Sequence, residues 1–340
     1  MAHTLKLNIY VLEIKKRGER TSLTWQEFYK NIYGIEETRE TTKDRQYSMF
    51  KNALLTRFGE RFTENENRTK GVSLKNFEFQ SCRNIFSGTF KGGLTGIEQE
   101  LFHNNNANET TGILGYNDIA TLIYYFKLWT PYDSNIGILM LQSYASLGCN
   151  AEIVDVLKKF FQSLGYTLKL SRFVPHEMIE HFKRTSSIYQ ISFERKNLSS
   201  DTRHQLSPIY DEFPNVNAKL IFSGFRVSPE RVWDKLSSQN IKLLEADITM
   251  LEMATNDDYT TIVSYEDAEG HKSNLNISKR DSELKPNIFL PDTLKEDGKE
   301  IPELTKIDRH TNSLLETIKQ EIGYTCLLYT SPSPRDKRQS

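Results

Sequence analysis

Glu194-Arg195-Lys196 closes an apolar run marked by Ile188, Ile191 and Phe193. Residues two apart on a strand point to the same side. A carboxylate placed this way can hold a divalent ion while the ammonium two residues on steadies a metal-activated water. That arrangement would make the chain a metal-dependent nuclease or toxin, with Glu194 and Lys196 as its catalytic residues and Mg2+ as its cofactor. The chemistry needs a further carboxylate from a neighbouring strand, and the nearest upstream acids, Glu152 and Asp155, fall on an expected helix. The bland reading, a solvated strand end, needs no such partner and is preferred.

Residues 176–181 read HEMIEH. Zinc-binding HExxH strings set their histidines four apart, on one helix face. His176 and His181 are five apart, about 140° round a helix. Glu177 and His181 have the four-residue spacing and are the metal candidates, although an amphipathic helix with its polar face in water explains the string without a metal. Gly88, Gly92, Gly93 and Gly96 sit in FSGTFKGGLTG, where Lys91 precedes the glycine pair. A phosphate-cradling loop carries its lysine after the last glycine, so a turn is expected here. Cys149 opens an expected helix, a position that can lower a thiol pKa. No histidine lies near it in sequence, and a small buried packing residue is the expectation. Lys169 and Arg172 beside Phe173, and Arg195 and Lys196 after Phe193, come closest to the basic and aromatic interleaving that single-stranded nucleic acid requires.

Of the 340 residues, 37% are apolar and 11% aromatic, enough for a real core. The formal net charge is −1. A surface that lives on phosphate contacts shows a basic excess, so charge does not support nucleic acid and a protein partner is expected. Cys82, Cys149 and Cys326 are too few and too scattered for a disulfide framework or a zinc site. Lys6, Asn8 and Glu13 interrupt the first apolar stretch, so no secretory leader is expected. No run reaches the ~18 apolar residues of a membrane span. These features predict a cytoplasmic protein, and a preference for Asn, Lys, Ile and Tyr fits an AT-rich prokaryotic gene. Residues 326–336, CLLYTSPSPRD, resemble the in-frame translation of a transposase sequencing adapter. The expectation is that native sequence stops near Thr325, with a truncated C-terminus and an artefactual tail at 326–340.

Candidate groups need elements to hold them. Leu5, Leu7, Ile9 and Val11 alternate with Lys6, Asn8 and Tyr10, the period of a half-buried strand. Trp25, Phe28, Tyr29 and Ile32 recur at helical spacing behind Thr24, a good N-cap. Met49, Phe50, Ala53, Leu54 and Phe58 repeat that pattern up to Gly59. Strands are expected over 77–90, a short helical turn over 97–103, and an exposed loop over 104–111, NNNANETT. Residues 120–129 and 136–144 flank Pro131-Tyr132-Asp133-Ser134-Asn135 and predict an antiparallel hairpin. Then come a helix capped by Asn150, a strand at 166–174, a helix at 175–183 and a strand at 187–194. Later strands are expected at 220–225, 260–265 and 274–278, and helices at 229–236 and 312–322.

The pattern predicts an α+β fold: a mixed, partly antiparallel sheet centred on 120–196, joined by the first strand and covered by helices, plus a smaller β-rich C-terminal part. The expected division is a core at 1–200 with a helical insertion at about 20–60, a β-rich part at 201–300 and a terminal helix at 301–325. Without an assembled reaction centre, the expected role is that of a binding or interaction protein in a bacterial or phage accessory system, for defence or for a mobile element. The metal-dependent nuclease and single-stranded nucleic-acid binding are the alternatives.

Overall fold

The structure is a computed structural model that describes residues 3–34, 40–80, 83–145, 147–239, 243–244, 248–253, 259–277 and 284–324. The expectations for Cys82, Cys326 and the tail at 326–340 lie outside the described residues.

The chain opens with β1 (Leu5–Lys16), β2 (Ser22–Leu23), α1 (Trp25–Tyr33) and α2 (Glu40–Phe58). A run of strands follows: β3 (Thr63–Glu64), β4 (Lys70–Gln80), β5 (Ile85–Leu94), β6 (Gln99–His103), β7 (Asn106–Leu114), β8 (Ala120–Trp129) and β9 (Ile136–Tyr144). Helices and strands then alternate through α3 (Asn150–Ser163), β10 (Tyr166–Phe173), α4 (His176–Thr185), β11 (Ser187–Arg195), α5 (Ser200–Leu206), β12 (Ala218–Val227) and α6 (Pro229–Gln239). The last elements are β13 (Thr260–Glu266), β14 (Lys272–Ile277), β15 (Ile288–Leu290) and α7 (Leu304–Glu321). No described helix is long and apolar enough to cross a membrane.

The main sheet has nine strands in the order β10-β1-β9-β8-β5-β4-β3, with β2 and β15 also paired to β1. A second sheet has four, in the order β12-β11-β13-β14, and β6 and β7 form a two-stranded hairpin of their own. Among the described residues, every strand pairing is antiparallel. The α+β class, with helices on a large sheet and a smaller β-rich part, is the architecture observed. The sheet expected across 120–196 divides, however. β8, β9 and β10 lie in the main sheet, whereas β11 pairs with β12 and β13. The cause is α4, whose Phe182 is buried with Ile188, Val263 and Tyr265 and carries the chain into a second core.

β1 shows how the main sheet is covered on both faces. Its buried residues are Leu5, Leu7 and Ile9 and then Leu12 and Ile14, so burial changes face near the middle of an otherwise regular strand. Ile9 is in register with Met140, and Val11 with Ile138. Those positions share a face with Lys127 and Trp129 of β8, the side chains that meet α7. The opposite face is packed by α1, α2 and α3. There Phe28, Phe50 and Phe161 form edge-on and tilted ring pairs with centroids 5.2–6.2 Å apart, a geometry that adds to simple apolar burial. Gly137 leaves room for Trp25, since a Cβ there would stand 2.7 Å from the indole.

Local signals work as physical chemistry predicts. Thr24 Oγ1 accepts from the Glu27 N–H at 3.2 Å, and the Glu27 carboxylate accepts from the Thr24 N–H at 2.8 Å, completing a capping box on α1. The 120–129 and 136–144 hairpin forms with Phe126 opposite Leu141 and Trp129 opposite Ile138. The cap of α3 is Cys149, not Asn150, and no side chain bonds the helix end. The expected turn at Lys91-Gly92-Gly93 is instead strand: β5 runs on to Leu94, and a Cβ on Gly93 would lie 1.7 Å from the Ala120 carbonyl of β8. The helical turn expected over 97–103 and the loop over 104–111 are replaced by β6 and β7. A polar segment can be a strand when its neighbour satisfies the backbone, and β6 supplies that ladder.

The two sheets meet along a polar seam. Arg172 of β10 donates to the Pro286 carbonyl and to Asn287 Oδ1, both at 2.9 Å. The Asn287 N–H donates to the Tyr265 hydroxyl of β13 at 2.9 Å. The His271 ring stacks on Phe289 of β15 at 4.6 Å.

Candidate functional site

Glu194 lies half-buried at the end of β11, in register with Lys219 on one side and Thr260 on the other. Lys196 is exposed just past the last paired residue, Arg195. The group that organises this strand end is Glu252. Its carboxylate accepts from Arg195 Nη2 at 3.0 Å and from the Ser199 N–H at 2.7 Å. Hydrogen bonds from Ser199 and Thr202 hold it well below the usual carboxylate range, down to about 2. Among the described residues, the group of three ligand-bearing side chains that converges does not include Glu194.

Glu177 and His181 are both exposed on α4, with Phe182 turned into the second core. Of the basic residues weighed for single-stranded nucleic acid, Lys169, Arg172 and Arg195 are engaged by the chain itself, and Lys196 is exposed. Lys169 Nζ pairs with Glu13 at 2.8 Å, and Arg172 is committed to the seam. Cys149 is buried, and that burial pushes its thiol up, away from the reactive range. Its sulfur packs where a Cβ on Gly92 would stand, at 3.1 Å.

The fold assembles three further clusters. Asp267, Glu269 and His271 bring one ligand atom each within 4.8 Å of one another. Asp267 Oδ1 accepts from the N–H groups of Glu269 and His271, and Oδ2 faces His271 Nδ1 at 2.9 Å. Those bonds are what an aspartate does to close a β-hairpin. Ser200, His204 and Asp211 line one open groove, with Asp211 Oδ2 2.6 Å from His204 Nδ1. Ser200 and His204 are both exposed, outside the water-excluded setting that activates a nucleophile. Lys127 is the opposite case. It is almost fully buried, and Nζ reaches Asn312 Oδ1 at 2.6 Å, the Asp308 carbonyl at 3.0 Å and Asp308 Oδ1 at 3.2 Å. Desolvation pulls its ammonium down to about 8 against the attraction of Asp308. It bolts α7 to the sheet.

The feature that the bland readings leave unexplained is β6–β7. The hairpin's substantial packing is strand on strand. Its base is fixed: the Thr95 N–H donates to the Thr69 carbonyl at 3.0 Å, the Gly96 N–H to the Tyr116 carbonyl at 3.2 Å, and Asp118 accepts from the Gly115 N–H at 2.7 Å. Beyond that base, large apolar side chains face water. Leu101 is 43% exposed, Phe102 44% and Ile113 61%. Leu101 is in register with Gly112, and Ile113 with Glu100, so apolar groups emerge on both faces. From Gly92 to Phe126 the chain contains no Lys or Arg, while Glu98, Glu100 and Asp118 are acidic.

β12 is the second exposed apolar feature. It ends the order of the second sheet, with one edge on β11. Ala218–Ser223 pair regularly, and then the register slips before Val227 at Gly224, which has φ +87°. Ile221 and Phe222 are about half exposed although adjacent, so both faces of the strand reach solvent. From Phe213 to Pro229 the chain has no acidic residue, and Lys219 and Arg226 are basic. Arg226 Nη2 meets Glu266 at 3.1 Å.

Sequence reasoning passed over both features. The gap in basic residues between Lys91 and Lys127 was a readable signal, but it acquires meaning only once the segment is seen to form an exposed two-stranded sheet of its own. A scan against protein-family models finds no match to the chain, and a search of the curated proteins finds none.

Proposed function

We propose that this chain is a protein-binding component that engages its partner through the projecting hairpin β6–β7. The observation that carries the reading is the exposure of Leu101, Phe102 and Ile113 on a hairpin that, among the described residues, has no substantial packing onto another element. A lone two-stranded hairpin is at best marginally stable in water. Large apolar side chains left in water on both faces of a short hairpin favour a surface that another molecule covers. The acidic residues of the hairpin and the absence of Lys and Arg favour a protein over a phosphate backbone. The fitting partner surface is apolar and basic, and both free edges of the hairpin can add a strand to it.

The test is a photo-crosslinking residue placed at Phe102 or Ile113 in cells. Discrete protein adducts are expected from both positions and not from Glu177, which is also exposed, on α4. No adduct, or the same adducts from all three positions, overturns the reading.

A further inference from the structure

Resting on the hairpin as the binding element, we infer that the surface it binds is the β12 edge of a second copy of this chain. The hairpin needs an apolar, basic and edge-exposed strand, and the molecule displays one. Ala218–Ser223 offer an unpaired outer edge among the described strands, with Ile221 and Phe222 open to solvent. Lys219 lies on that edge in a stretch free of acids, complementary to a hairpin stretch free of Lys and Arg. An exposed apolar edge is a template for strand addition. The bulge at Gly224 limits the template to the six residues before it, close to the five residues of β6 and within the nine of β7. Within one chain the hairpin and β12 belong to separate sheets, and no substantial packing joins them. Their union is therefore between copies. Because the two surfaces differ, the contact is head-to-tail, and each copy keeps one free hairpin and one free edge unless a ring closes.

This asymmetry gives a complementation experiment. The wild-type chain should show concentration-dependent mass beyond a dimer in sedimentation velocity, weaker at high salt because the charged surfaces are screened. A chain with Leu101→Ser, Phe102→Ser and Ile113→Ser loses its hairpin surface. A chain with Ile221→Pro loses its edge, and Ile221→Glu serves the same end without altering the backbone if the proline variant misfolds. Each variant alone should be monomeric, with self-association weakened at least about tenfold. An equimolar mixture should form a species of twice the monomer mass and nothing larger, since one partner brings the intact hairpin and the other the intact edge. A mixture that stays monomeric overturns the inference, as does a single variant that still associates like wild type. The photo-crosslinker at Phe102 separates the two levels of the argument. Adducts mapping to 218–227 of another copy support both. Adducts with a different protein, from a chain that is monomeric throughout, overturn the second copy and leave the hairpin as the binding element. No adducts overturn both.

Discussion

Lys127 is the residue that most changes meaning between sequence and structure. In the sequence it is one charge inside an apolar strand. In the fold it is buried under α7 with Asp308 and Asn312 around its ammonium. Its pKa falls to about 8 in the folded state and returns to the ordinary lysine range on unfolding. Between those values the unfolded chain binds more protons, so stability should rise as pH increases from about 8. The rise should be about 1.5 kcal/mol between pH 8 and 9.5. Lys127→Met should flatten it, because Asp308 keeps donors from Tyr125 and Asn312. Urea midpoints for both chains across that interval provide the measurement, and parallel profiles would refute the assignment. Glu194 and Lys196 show the reverse limit of sequence reading. Two residues apart are visibly on one strand side, but a metal centre needs a third group brought from elsewhere, and nothing in the linear chain says which carboxylates converge.

At the scale of elements, the legible parts were those whose cause is local. α1 is specified by Thr24, Glu27 and the spacing of Trp25, Phe28 and Tyr29. Thr24→Ala should therefore lower stability by about 1 kcal/mol by removing the acceptor for the Glu27 N–H. Thr24→Ser should keep most of it, and chemical denaturation of the two variants would show the difference. β8 and β9 were legible because apolar runs flanking a turn of Pro131, Asp133 and Asn135 permit little else. β6 and β7 were not. Their residues neither alternate cleanly nor bury a face, and a strand made by its partner's backbone leaves little trace in side-chain pattern. Gly92 and Gly93 misled for a related reason: Gly93 is there for close strand approach to Ala120, which sequence renders identically to a turn.

For the whole molecule, the question is how two sheets act as one. Arg172 is half-buried at the seam, and desolvation lowers its pKa, although a guanidinium stays charged. Arg172→Ala should cost about 2–3 kcal/mol, because it strands the Pro286 carbonyl and Asn287 Oδ1 without their charged donor. Hydrogen exchange should show the loss unevenly, with β13 and β14 opening more than β8 and β9. Uniform loss across both sheets would show that the seam does not couple them in this way.

The amino-acid sequence by itself determined the α+β class, the capped helix α1, the β8–β9 hairpin and the absence of a basic excess, since each follows from interactions between near neighbours or from composition. Tertiary structure alone decided that β11 leaves the main sheet, that Lys127 is buried while Lys196 is not, and that the acidic hairpin β6–β7 forms a sheet of its own with its large apolar side chains exposed. Burial and exposure are set by residues far apart in the chain, and the free energy that chooses between them is not carried by any short stretch of it.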